Sequence, residues 1–405
     1  MACPNSCKHR KRSRAGLIDR PSSGGPKGSA LLLALYRRAL SSSARSAVCA
    51  LIVVGCASTA AAQDAARFAV DSVLSIDTFG GQNVSNRPQV IVDISAGARL
   101  GDGFQLHIRP WFRLPRPTAP GAPTPDWSTE LYSAGIRYER SGNQRGLATR
   151  VDFGYNVSPI GLGIIDVRPS LNPVIAPHVS YLSPMPAFDL TVPRVSAISQ
   201  TYPLGAQLTV SSAHWDARTA VINAAPTRNY AIGRPTNPRQ SPAYIAGAGV
   251  TPFIGLRLGL SLAHGKYATA NEVIGLVRSD RSVTIVGGEG EYAFGYTRMS
   301  GEIVRSRFER LAGAAIAYEW FVQGLQTLSP RWSLAARHES TWAPELITAT
   351  SAGQRRRLAM NEATVGFRLT PEVTIRSSYY TRRPYDASSW DHQVAVQAVW
   401  ARKWW

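Results

Sequence analysis

From residue 89 onward the chain switches between apolar and polar side chains at every step, in segments of about ten residues separated by turn-forming residues. In the first clear segment Val90, Val92, Ile94, Ala96, Ala98 and Leu100 share one face, and Asp93, Ser95, Gly97 and Arg99 share the other. Successive side chains of a β-strand point to opposite faces, so this is the signature of a half-buried strand. Segments of ~9–11 residues are also the length that a tilted strand needs to cross a bilayer. The pattern predicts an all-β fold, a transmembrane antiparallel β-barrel.

Sixteen strands are expected, near 67–78, 89–100, 103–113, 129–140, 146–157, 201–211, 215–223, 243–251, 254–264, 281–292, 297–308, 312–324, 331–341, 358–369, 372–382 and 390–401. Their connections alternate in length. Short turns fall at Gly101-Asp102-Gly103, Ser141 to Arg145, Thr251-Pro252, Ser329-Pro330 and Thr370-Pro371, and long connections at 114–128, 158–200, 224–242, 265–280 and 342–357. An even strand count with both termini on one side puts every long connection outside and every Gly/Pro turn in the periplasm. A soluble sandwich has no reason to keep that parity, and a propeller would carry a sequence repeat that is absent here.

Parity also assigns the faces. Outward residues include Phe104, Leu106, Ile108 and Phe112; Tyr132, Ile136 and Tyr138; Val151 and Phe153; Leu256 to Leu262 in steps of two; and Val394 and Val396. Trp111, Tyr138, Tyr155, Tyr292, Trp332, Tyr379, Tyr380 and Trp400 sit toward strand ends, as an interfacial girdle requires. Strands 281–292 and 297–308 break the alternation, and Gly287, Gly288 and Gly290 suggest a bulge or bend there.

Composition narrows the picture. Hydrophobic residues make up 44% of the chain, yet nothing after residue 62 resembles a twenty-residue apolar run, so a spanning helix is not expected in the body. All four cysteines (Cys3, Cys7, Cys49, Cys56) precede residue 57, which excludes a disulfide framework or thiolate metal site beyond it. Residues 1–63 carry ten Lys/Arg and one Asp. Arg37, Arg38 and Arg45, the apolar stretch Ala47 to Ala57 and the run Ala60-Ala61-Ala62-Gln63 read as a secretion signal with cleavage near Gln63. The domain reading is therefore a basic leader and cleaved signal over 1–63 and a barrel over 64–405. The long basic tract before residue 30 points to a start codon placed too far upstream. Val53-Val54-Gly55-Cys56 offers a weaker, lipoprotein-like alternative with Cys56 acylated.

On signal, alternation, loop parity and an aromatic carboxyl terminus ending in Trp405, residues ~64–405 resemble bacterial outer-membrane porins. The resemblance is architectural and covers no residue-level motif. It implies an outer-membrane location in contact with lipid, passive diffusion of small hydrophilic solutes, and a homotrimer as the common assembly.

Inside such a barrel two features carry the chemistry. The connection 158–200 is rich in proline and in apolar residues, among them Ile164, Val174, Tyr181, Met185 and Phe188. So apolar a loop is expected to fold into the barrel or against a neighbouring subunit, making Arg168, His178, Asp189 and Arg194 candidate constriction residues; a capping external loop is the alternative. Arg109, Arg113, Arg137, Arg150, Arg257, Arg337, Arg368 and Arg376, with Glu139, Asp152 and Glu319, face inward by parity and are candidate pore-lining residues. Excess arginine would favour anions, unless the charges pair across strands and cancel.

Two other classes compete: a structural or adhesin barrel with a plugged lumen, and a barrel hydrolase. No catalytic residues are assigned. His338-Glu339-Ser340 juxtaposes suggestive types, but neighbours on a strand face opposite ways. No nucleophile elbow, metal-binding or nucleotide-binding motif is present, so neither metal nor cofactor is expected. The body's arginines are spread over many inward strand positions, which argues against nucleic acid.

Overall fold

The computed structural model of the chain describes residues 68–81, 85–116, 123, 125–142, 146–233, 237–346, 356–385 and 387–404. The leader, the signal core, Cys56 and Trp405 lie outside the described residues.

The strands are β1 (Phe68–Gly80), β2 (Gln89–Gly101), β3 (Phe104–Leu114), β4 (Ser128–Ser141), β5 (Ala148–Tyr155), β6 (Leu204–Ser211), β7 (Trp215–Ile222) and β8 (Ala243–Phe253). They continue with β9 (Leu256–Ala268), β10 (Arg281–Phe294), β11 (Thr297–Phe308), β12 (Ala315–Thr327), β13 (Trp332–Ala343), β14 (Arg356–Arg368), β15 (Val373–Arg383) and β16 (Asp391–Lys403). Each pairs antiparallel with its sequence neighbours, and β1 pairs with β16 from Asp71↔Lys403 to Gly80↔Val394, closing the barrel. The Trp404 backbone N–H donates to the Val70 carbonyl (2.9 Å) just past the last strand. Closure matters because hydrocarbon offers no partner to an unpaired amide.

The expected strands are all present and the alternation of short and long connections holds. A two-residue turn joins β2 to β3, where Gly101, Asp102 and Gly103 all take positive φ (102°, 45° and 86°). A Cβ on Gly103 would lie 2.3 Å from the Glu139 carbonyl, so glycine is required there twice over.

The outward face is an apolar belt: Leu106, Phe153, Leu208, Leu260, Ile303 and Val396 are exposed. At its turn end, aromatic pairs ring the barrel: Phe104–Tyr138 (4.8 Å), Phe253–Tyr292 (6.4 Å), Trp332–Phe367 (4.7 Å) and Trp400–Trp404 (5.9 Å). Apolar outside surface in a belt edged by aromatic residues is the arrangement that a bilayer stabilises.

Four expectations need correction. Trp111 and Tyr132 belong to an interior cluster with Ile91, Val167 and Tyr202, not to the outer belt. The β3–β4 register shifts between Arg109 and Pro110, and the extra residue on β4 turns Tyr132 inward. Tyr380 likewise packs inside, against Phe79 at 6.1 Å. Phe112 keeps its expected outward parity, in register with Val92, but is covered instead of exposed. Finally, pairing of β10 with β11 is unbroken through Gly287, Gly288 and Gly290, and the irregularity of β10 lies at Arg281/Ser282.

Candidate functional site in the barrel interior

Residues 156–203, between β5 and β6, fold inside the barrel. They include a 3-10 turn (Ile165–Val167) and one short helix, α1 (Val179–Leu182). Three inward carboxylates grip the loop by its backbone amides. Glu302 of β11 accepts from Leu162 N–H, Glu362 of β14 from Ile175 and Ala176 N–H (2.9 and 3.1 Å), and Glu339 of β13 from Val179 N–H (2.9 Å). Cationic and hydroxyl side chains grip its carbonyls. Arg376 of β15 donates to Pro169 (2.9 Å), Ser306 of β11 to Ala197 (2.6 Å) and Arg337 of β13 to Ala176. Charged groups bonded to a backbone that has left water satisfy it better than neutral ones do.

His178 lies between two acids, 3.1 Å from Asp166 and 3.2 Å from Glu339, and is fully buried. The Tyr181 hydroxyl donates to Glu302 (3.0 Å); burial, reinforced by that carboxylate, pushes its pKa well above the usual phenol value, so it remains a donor. Ser180 donates to Glu339 (3.2 Å) and not to the histidine, so this group holds no paired nucleophile and base. His338 and Glu339 point to opposite sides of the wall, toward Asn361 and His178 respectively. Among the described residues, no cluster of His, Cys, Asp and Glu is suited to a metal ion.

The loop's apolar side chains pack on the loop-end half of the wall. Ile160, Tyr181, Met185 and Phe188 meet Ile245, Tyr267, Ile285 and Phe308; Ile175 and Val179 meet Leu358 and Met360; Val167 meets Trp111 and Tyr132. Gln200 bridges the Tyr132 and Tyr202 hydroxyls.

The expected site residues separate into three groups. Arg337, Arg376 and Glu319 face inward but are covered by the loop; Glu319 is buried beside Ser180 and Ile198. A second group lies along β2–β5, with its arginines partly exposed and Asp93, Glu130 and Asp152 buried beneath them. From the loop end downward, Arg113 pairs with Glu130 (3.0 Å) and Arg109 with Asp93 (2.7 Å). The loop's Arg168 reaches the same Asp93 (3.1 Å). Lower down, Arg137 and Arg150 clamp Asp152 from both sides (2.7 and 2.6 Å) with Glu139 nearby. Arg257 extends the pattern on the neighbouring wall, pairing with Asp216 of β7 and with Glu289 of β10 (2.8 Å each), where Arg218 also binds Glu289. The third group stands apart: Asp189 closes a local turn with Thr191 (2.8 Å), Arg194 is exposed in the loop, and Arg368 is exposed at the turn end of β14.

Parity found these charges and left their pairing open; the structure pairs most of them across strands. The carboxylates that hold the loop, Glu302 above all, carry no motif that announces the role. Their only signal is an acid at an inward position facing a long apolar loop.

Solved structures with the same architecture were found by comparison. Salmonella typhi OmpF, in complex with daunomycin, superposes with a TM-score of 0.55 at 9% identity, covering 83% of this chain and 97% of that one. The chain has the fold of an outer-membrane porin. OmpT, described as an outer membrane protein of Vibrio cholerae, gives 0.51 at 10% identity over 84% of this chain and 99% of that one. No protein-family model and no curated protein matches the sequence. The porin likeness is thus one of backbone architecture, and the lining of the bore must be read from this chain's own residues.

Proposed function

We propose that this barrel is an outer-membrane porin passing small hydrophilic solutes, with the loop 158–200 as its constriction and a modest preference for anions. The observation that carries the reading is the track of ion pairs on β2–β5 whose arginines are partly exposed: Arg113–Glu130, Arg109–Asp93–Arg168, and Arg137–Asp152–Arg150 with Glu139. It descends a stretch of wall away from Glu302, Glu339 and Glu362, the carboxylates that hold the loop's backbone amides. Named in this way, the track holds one more arginine than acid, and guanidinium charge does not titrate in the physiological range. Pairing cancels most of it, which makes the expected selectivity small.

Planar bilayers test this. Purified protein should give stepwise conductance, with a reversal potential under a salt gradient on the anion side. Clear cation preference would remove the selectivity. A silent bilayer with correctly folded protein would remove the porin reading.

One observation favours a second reading. Many apolar side chains of the loop are buried around the loop-end half of the wall, with Val174, Tyr181 and Met185 at 0% exposure, while Leu171 and Leu190 stay exposed. A barrel whose loop acts as a plug, serving as a structural or adhesive element, would pack in this way, and it is the reading that silence would select.

A further inference from the structure

The loop-end part of the outer wall over β13–β16 is neither apolar nor balanced in charge. On the outward parity of β14, Arg357 stands opposite Trp342 of β13, with its guanidinium 5.6 Å from that ring. Arg383 of β15 lies opposite Ala359, one diagonal step from Arg357, with its guanidinium 5.4 Å from the Trp390 ring. Among the described residues, neither arginine comes within ion-pair distance of a carboxylate. Tryptophans at strand ends mark the boundary between membrane and water. Two partly exposed cations therefore stand side by side at headgroup level without a counter-charge. Diagonal neighbours on adjacent strands lie ~7–8 Å apart, close enough for two guanidinium groups to share one phosphate.

Two residues below Arg383 runs a polar row. His338, Asn361, Thr381 and His392 lie in register across β13 to β16. His338 Nδ1 lies 2.6 Å from Asn361 Oδ1, Asn361 Nδ2 donates to Thr381 Oγ1 (3.1 Å), and Tyr379 Oη lies 2.6 Å from His392 Nδ1. An amide oxygen only accepts, so His338 Nδ1 carries the proton and its Nε2 is left as an acceptor. The hydroxyl hydrogen of Thr381 is left as a donor. Hydrocarbon satisfies neither. One step deeper, Gly324, Ala336, Ala363 and Tyr379 form the next register row. With Met299 and Val322 they line a trough of about 450 Å³, and the polar row is its upper rim. Along β14 the interval from Arg357 to Ala363 is about 20 Å of strand and ~15 Å of depth at the usual tilt, which is one leaflet.

Down the membrane normal the order is cation pair, hydrogen-bonding row, apolar trough. A lipid with a phosphate headgroup presents the matching order of phosphate, acyl carbonyl or hydroxyl, and acyl chain. We infer that this face is a binding site for one anionic, phosphate-bearing lipid. Its phosphate lies between Arg357 and Arg383, its carbonyl and hydroxyl groups bond to Thr381 and His338, and one acyl chain occupies the trough beside Tyr379. The trough exists because Gly324, Ala336 and Ala363 lack bulk at outward positions where β9 carries Leu258, Leu260 and Leu262. Such a site differs from the general contact of an apolar belt with a bilayer, which selects no headgroup and needs no hydrogen bond. The inference rests on the barrel spanning a membrane and not on its conducting solute.

The test uses the full chain extracted in mild detergent and titrated with phosphatidylglycerol or with phosphatidylcholine of the same acyl chains. Native mass spectrometry counts the bound lipid. One phosphatidylglycerol per chain should remain under conditions that strip phosphatidylcholine. Arg357→Gln together with Arg383→Gln should weaken its retention about thirtyfold, at ~1 kcal/mol for each arginine. Ala363→Trp, which fills the trough and leaves the charges in place, should weaken retention too, whereas Leu208→Trp on β6 should change nothing. Folding of each variant is checked by migration on unheated gels. Equal retention of the two lipids overturns the proposal, as does full retention by the arginine variant or by the trough variant. A face already covered by a second chain also overturns it: Ala363→Cys, in a chain with its four native cysteines changed to serine, would then resist a membrane-permeant maleimide.

Discussion

Arg168 and Asp93 lie 3.1 Å apart, and this pair joins the luminal loop to β2, outside the β11–β15 arc that holds its backbone. Asp93 is fully buried and is also held by Arg109 (2.7 Å), so removing Arg168 leaves the acid neutralised. Arg168→Ala is expected to keep the barrel folded, because Arg109 still holds Asp93, at a cost of ~1.5–3 kcal/mol for a lost bond to a buried charged group. It should free that edge of the loop and withdraw one positive charge from the track. Single-channel recording should show larger, noisier steps and a reversal potential shifted toward zero.

Glu339→Ala is expected to act more severely. It strands the Val179 amide, the Ser180 hydroxyl and His178 in a buried setting, at ~1–3 kcal/mol for each donor left unpaired. The strands should persist while the loop becomes cleavable. Limited proteolysis with mass mapping should place new cuts within 158–200, and Glu339→Gln should restore part of the protection.

External loops should loosen in acid. Glu272, between β9 and β10, pairs with Arg228 (3.0 Å) and accepts from the Thr269 and Arg239 amides (2.9 and 3.2 Å). Burial alone would raise its pKa; the Thr269 amide and the Arg228 charge outweigh it and hold the carboxyl below its ordinary value. A depressed carboxylate adds stability that is present above its unfolded pKa and is lost as pH falls through the folded one. Amide exchange in the β7–β8 connection should therefore accelerate below about pH 4, and Glu272→Gln should abolish that step. Unchanged exchange down to pH 3 would contradict the assignment.

The β7–β10 wall depends on glycine. A Cβ on Gly249 would lie 2.6 Å from Asp216 Oδ1 and 2.8 Å from Arg257, so the bare backbone is what lets this ion pair lie flat on the wall. Gly249→Ala should displace the Arg257 guanidinium rather than the strand, since the clash is with side-chain ends. Destabilisation of ~1–3 kcal/mol by overpacking is expected in thermal melts, together with a changed conductance.

Most of the wall was legible because a period of two needs no tertiary information. Leu258, Leu260 and Leu262 declare an outward face by spacing alone. Legibility failed where the count slips. One extra residue near Tyr132 reverses the parity, and nothing local marks the bulge, because its cause is the aromatic cluster that Trp111 and Tyr202 complete from elsewhere in the chain. The luminal loop could be picked out by its apolar content. Its anchors could not, because Glu302, Glu339 and Glu362 lie more than a hundred residues away and the pairing exists only after closure.

That separation dictates an order of events. The loop leaves β5 early in the chain, yet its holds on β11, β14 and β15 span 140, 187 and 207 residues. Contacts so distant in sequence form late, after the entropy of the intervening chain has been lost. The segment must wait while eleven further strands assemble, so a refolding chain should gain its sheet spectrum before its interior becomes resistant to protease.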